Sequence, residues 1–137
     1  MRLFRYLPLF TIMFFIYLAL AYYDFYYSDG SILEQVLFTL PLPSQRTVEF
    51  TVGNFLLALG LILLFFEIFK STYTNTSAVI EHVLSALVFI VYVLFFFYSS
   101  LCDSPVFFIL TLMTLLDVLT GIIIGIAAAR RDVGLNN

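Results

Sequence analysis

Read by its hydrophobic and polar positions, the chain divides into four long apolar stretches, residues 7–23, 52–69, 79–101 and 106–129, with polar segments between them. Each approaches the ~20 residues that an α-helix needs to cross a hydrocarbon core ~30 Å thick. In lipid only helices and closed barrels satisfy their own peptide groups, and barrel strands would place a lumen-facing polar residue at every second position. These runs are continuous, so the pattern predicts an all-α membrane protein. It is read as a single membrane domain over 1–137, with helices at about 4–26, 52–70, 78–101 and 105–130 and a cytoplasmic tail at 130–137. The links at 71–77 and 99–104 are short enough for hairpins, which makes the expected arrangement an antiparallel up-down bundle.

The outer loop, 27–51, carries its own pattern. Ser31-Ile32-Leu33-Glu34 reads as a capping box, and apolar residues follow with helical spacing at Val36, Leu37 and Leu40 before Pro41 and Pro43 end the run. A short amphipathic helix over 31–40 is expected. It has no basic face to grip headgroups, so packing over the bundle mouth is favoured over lipid contact.

Composition agrees with lipid as the solvent. Of 137 residues, 63% are hydrophobic and 11% charged, against roughly half and a quarter in ordinary soluble domains. A chain this short folded in water would display an oily, aggregating surface. Six Lys and Arg form no basic stripe, which excludes a nucleic-acid footprint. Cys102 is the single cysteine, so neither an intrachain disulfide nor a thiolate metal cluster can form.

The basic residues set orientation, because Lys and Arg near span ends stay in the cytoplasm. Threading the chain alternately puts Arg2, Arg5, Lys70, Arg130 and Arg131 on one side. Arg46 falls on the other, among Asp24, Asp29, Glu34, Glu49 and Asp103. Both termini are then cytoplasmic, and Tyr22, Tyr23, Tyr26 and Tyr27 sit at headgroup level on the outer side. A cleavable secretory signal competes for the first stretch, since Arg2, Arg5 and the Ala19-Leu20-Ala21 triplet imitate one. Retention is expected, because the cut would leave an aromatic run as the new terminus and remove the first helix.

Charged groups within hydrocarbon cost at least ~2.5–3.5 kcal/mol each on insertion scales, so each needs a partner, an interfacial position or a function. Asp117 lies about twelve residues into the fourth stretch, ~18 Å deep at 1.5 Å per residue. Gly121 and Gly125 share its helical face as a Gly-x-x-x-Gly pair, a surface on which another helix approaches closely. Counting outward from the turn near Cys102 brings Ser85 and Tyr92 closest as hydrogen-bond partners. Interhelical glue is one reading of Asp117; a proton-carrying or ion-binding carboxylate is the other.

At the cytoplasmic end Glu67 and Lys70 stand three apart, close enough to pair, and Glu81 and His82 come level with them across the hairpin. This outlines a candidate intramembrane polar track of Lys70, Glu67, His82, Ser85, Tyr92 and Asp117. Histidine titrates near neutral pH and can pass protons. The bland alternative leaves His82 and Glu81 as interfacial residues at a helix start, where a carboxylate is favourable. A Glu and a His alone make no metal site.

Residues 60–71 (GLILLFFEIFKS), 80–85 (IEHVLS), Asp117-Val118 with Gly121, and 129–132 (ARRD) resemble an uncharacterised family of small four-helix inner-membrane proteins of proteobacteria. The resemblance covers the second to fourth helices and the tail. It implies four helices and a place in the bacterial inner (plasma) membrane, and it implies no activity. The Asp117-x-x-Thr120-Gly121 string also looks like a helix of some phage holins.

No catalytic constellation or cofactor motif stands out, so a non-enzymatic protein without cofactor or metal is expected. The leading expectation is an accessory or scaffold subunit of a larger membrane assembly, in contact with the lipid bilayer and with other subunits or a second copy through the Gly121/Gly125 face. A proton or ion pathway through Asp117, His82 and Glu67 is the rival, and a holin-like oligomeric pore the third reading.

Overall fold

The computed structural model describes residues 7–73 and 77–135. Within them the apolar stretches form four helices, α1 (Leu9–Tyr27), α2 (Val52–Ser71), α3 (Ser77–Tyr98) and α4 (Pro105–Leu135). All four are long and apolar enough to cross a membrane. Large apolar side chains such as Phe15, Leu61, Val83 and Ile123 point outward. That arrangement is compatible with a multi-pass membrane protein, whose exterior is solvated by acyl chains.

Local chemistry sets the helix boundaries. Pro8, in extended backbone, precedes α1, whose first residue is Leu9. The expected start near residue 4, with Arg2 and Arg5, lies outside the described residues. At α2, Thr51 Oγ1 accepts from the Asn54 N–H at 3.2 Å while Asn54 Oδ1 accepts from the Thr51 N–H at 3.1 Å, a reciprocal cap. At α4, Pro105 opens the helix where its missing N–H does no harm, and Ser104 Oγ accepts from the Phe107 N–H at 3.1 Å. The 31 residues of α4 amount to about 46 Å at 1.5 Å per residue. The helix therefore continues through Arg130, Arg131 and Asp132, where a tail was expected, and no residue from 122 to 134 is buried.

The outer loop departs from expectation. Only Ile32–Glu34 is helical, as a single 3-10 turn, and the Ser31 side chain makes no cap. The Ile32 N–H is taken instead by Asp24 Oδ1, at 2.9 Å from the end of α1. Residues expected in the amphipathic helix form strand β1 (Val36–Pro41), which pairs antiparallel with β2 (Thr47–Thr51). The fold is thus not all-α. Thr47-Val48-Glu49-Phe50-Thr51 alternates polar and apolar residues with the period of a strand, and it pairs with β1 from Phe38 to Pro41 and again at Val36, with a bulge at Leu37. Gln45, at φ 62°, closes the turn.

Helices α2 and α4 meet backbone to side chain. A Cβ on Gly60 would stand 2.8 Å from Leu110 Cδ2, and one on Gly53 would stand 2.9 Å from Val106 Cγ2. Residue numbers along this contact rise together, whereas between α3 and α4 they run oppositely, from Phe96 on Phe108 to His82 on Gly121. The centre is aromatic. Tyr92 stacks on Phe107 with centroids 5.1 Å apart, Phe14 meets Tyr92 at 5.2 Å, and Tyr17 meets Phe107 at 4.8 Å.

Candidate functional site

Four helices contribute to one polar cluster between the ends of α2 and α3. Glu67 on α2 is 4% exposed and Asp117 on α4 is 5% exposed, with buried Ser85 on α3 close by. Glu67 Oε1 accepts a hydrogen bond from the backbone N–H of Leu9 at the start of α1. The first N–H groups of a helix have no partner within it, and the positive end of its dipole favours a carboxylate. Glu67 therefore caps a helix other than its own.

Lys70 supplies the countercharge. Its Nζ lies 3.8 Å from Glu67 Oε2 and 3.9 Å from Glu81 Oε2, so one half-buried ammonium ties α2 to α3. These are ion-pair separations, longer than a hydrogen bond. Ser85 and Asp117 are both buried here, and the Ser85 hydroxyl and the Lys70 charge are the groups that bear on the Asp117 carboxylate. The His82 ring lies against Gly121. A Cβ there would come within 2.5 Å of Nδ1, so α3 and α4 approach this closely only because Gly121 has no side chain.

The polar track drawn from the sequence is thus assembled in part. Lys70, Glu67, Ser85 and Asp117 share one cluster, with His82 at its edge. Tyr92 is not a member. It is fully buried, and its hydroxyl donates to the Phe10 carbonyl oxygen at 2.9 Å. Seven residues separate it from Ser85, about 10 Å along the helix, and the Phe14 and Phe107 rings pack around it. Above the cluster the core is closed by aromatic rings.

Gly121 and Gly125 part company. Gly121 is covered by His82 of the same chain, while nothing lies within 4 Å of a Cβ on Gly125. Three features escaped sequence reasoning: the Leu9 bond to Glu67, the Lys70 pair with Glu81, and the Gly53 and Gly60 contacts with α4. The last two left a legible trace, since the hairpin count brought Glu81 level with Glu67 and glycines seven apart fall on one helical face.

Among the described residues no three His, Cys, Asp or Glu side chains converge as metal ligands would. Chemically, the cluster can bind charge and join helices. Comparison with protein-family models, curated proteins and solved structures finds no match.

Proposed function

We propose that this protein is a non-enzymatic, antiparallel four-helix subunit that supports a larger assembly in the bacterial inner membrane, with both ends cytoplasmic. The observation that carries this reading is the internal pairing of the charges around the buried Glu67. Lys70 pairs with Glu67 and Glu81, Glu67 accepts from the start of α1, and Asp117 is buried beside them. An aromatic core closes the bundle beyond them, so the cluster serves to lock helices and leaves interaction to the exterior. The exterior offers the last turns of α4, where Gly125 is open and Ile122, Ile123 and Ile126 are exposed. Small residues on such a face let a second transmembrane helix approach closely. The likeness of α2–α4 to the small four-helix inner-membrane family supports the location, as does the basic bias of Lys70, Arg130 and Arg131.

Crosslinking in native membranes, followed by mild-detergent purification, is expected to recover other membrane subunits. It is also expected to lose them in Gly125→Leu. Recovery of the protein alone removes the reading, and one-sided cysteine labelling that finds the two ends on opposite faces removes the orientation.

One observation favours the rival pathway reading: two carboxylates, Glu67 and Glu81, share a single lysine, with the buried Asp117 on the neighbouring helix. Proton flux into liposomes that disappears in Asp117→Asn would support it, and unchanged flux would exclude it.

A further inference from the structure

The hairpin in the outer loop has one apolar face and one polar face, and nothing among the described residues covers the apolar one. The register pairs Phe38 with Phe50 and Leu40 with Val48, and the Leu42 N–H donates to the Arg46 carbonyl oxygen, so the ladder runs on to the turn. Side chains alternate across a strand. Phe38, Leu40, Leu42, Val48 and Phe50 therefore share a face with Arg46 at its tip, and Thr39, Pro41, Thr47 and Glu49 share the other. Phe38 is 53% exposed, Leu40 47% and Val48 38%. The two rings at the base are stacked, 4.8 Å apart at 17°. Two strands alone are marginally stable in water and need a cover for an apolar face.

Position in the chain identifies the cover. Phe50 stands two residues before Val52, the first residue of a membrane-spanning helix, which at 3.4 Å per residue is about 7 Å of extended chain. The interfacial layer between hydrocarbon and water is itself roughly 5–7 Å thick on each side. Phe50 and its partner Phe38 thus lie in or at the edge of that layer whatever the tilt of the hairpin. A modest tilt brings Leu40 and Val48 into it. The end of α1 marks the same level with exposed Tyr22, Tyr23, Tyr26 and Tyr27, residues that settle at headgroup depth. Arg46, exposed at the tip of the apolar face, is the side chain suited to an anionic phosphate.

We propose that the apolar face of the β1–β2 hairpin inserts into the headgroup–acyl boundary of the leaflet that the outer loop meets, with Arg46 against lipid phosphate, so that the loop is a lipid-binding surface. This needs only that the helices span the bilayer, and it is independent of the accessory-subunit reading.

The chain contains no tryptophan, so a single introduced indole reports its own surroundings. The full-length protein carrying Leu40→Trp, and separately Thr39→Trp on the polar face, is reconstituted in phosphatidylcholine–phosphatidylglycerol vesicles with or without bromine near the top of the acyl chains. The Leu40→Trp emission is expected to shift to the blue and to be quenched severalfold more by bromolipid than that of Thr39→Trp. Equal quenching of the two, weak or strong, overturns the proposal. So does a Leu40→Trp indole shielded from both bromolipid and acrylamide, which would place a protein on the face instead. If Leu40→Trp fails to fold, Val48→Trp tests the same face by the same criteria.

Discussion

The carboxylate of Glu67, near the end of α2, accepts the backbone N–H of Leu9, the first residue of α1. One side chain thereby serves a helix start that Pro8 leaves without a side-chain cap. Glu67→Gln keeps an acceptor for Leu9 but gives up the charge that Lys70 and the helix dipole favour. Glu67→Leu also strands the N–H and leaves Lys70 with Glu81 alone. The leucine variant is expected to lose about 1–3 kcal/mol, the cost of an unsatisfied buried polar group, and the glutamine variant clearly less. Thermal unfolding in mild detergent measures both, and equal losses would mean that the bond to Leu9 contributes nothing.

Three glycines rank by what a methyl group would meet. At Gly121 it strikes the His82 ring, at 2.5 Å from Nδ1 and 2.8 Å from Cε1, and a ring cannot fold aside. At Gly60 it meets the ends of Leu110 and Met113, at 2.8 and 3.0 Å, and both can turn away; at Gly125 it meets nothing within 4 Å. Gly121→Ala is expected to cost about 1–3 kcal/mol through overpacking and Gly60→Ala less. Gly125→Ala is expected to be neutral or stabilising, since alanine gains about 1 kcal/mol over glycine inside a helix. Melting temperatures in one detergent give the order directly.

Tyr92→Phe separates the ring from its hydroxyl. The ring keeps its stacking on Phe107, and the bond to the Phe10 carbonyl oxygen disappears. A loss of about 1 kcal/mol is expected, the usual scale of a hydrogen bond between membrane helices. Tyr92→Ala is expected to lose about 3–5 kcal/mol, because it also opens a cavity in the aromatic core. If the polar track did run through Tyr92, the phenylalanine variant would instead alter any proton flux while leaving stability almost unchanged.

Cys102, in the turn between α3 and α4, has its thiol pushed up from an ordinary 9.0 to about 11. Burial is the main cause. A hydrogen bond with Ser99 pulls the value part of the way back, and the Asp103 carboxylate adds to the rise. The folded state therefore favours the neutral thiol, a contribution present in full below pH 9 and lost as pH climbs from 9 through about 11. Maleimide labelling of the folded protein at neutral pH is expected to be negligible, and complete after denaturation. The stability difference between the native sequence and Cys102→Ala is expected to shrink across that same alkaline window.

Much of the candidate site was legible before folding. Glu67 and Lys70 are three apart on one helix, which makes a pair by geometry alone. Counting across a short turn was enough to bring Ser85 and Tyr92 nearest to Asp117. The same counting could not choose between Ser85 and Tyr92, because level says nothing of facing. Tyr92 turns to the Phe10 carbonyl, a group on a helix far away in sequence. The outer loop misled for a related reason. Ile32, Leu33, Val36, Leu37 and Leu40 fit a helical spacing, and only the alternation from Thr47 to Thr51 hinted that β1 had a strand waiting to pair with it.

What the linear order of residues determined by itself is the set of four spanning helices. An apolar run of about twenty residues in lipid has no partner for its peptide groups except its own backbone, and that is a local matter. The tertiary structure alone decided which side chain meets which: Glu67 at the start of α1, Lys70 on Glu81, His82 on Gly121, and a hairpin where a helix was foreseen. Those choices depend on rotation and separation of elements distant in the chain, and several sets of contacts satisfy the same hydrophobic pattern until the whole bundle is packed.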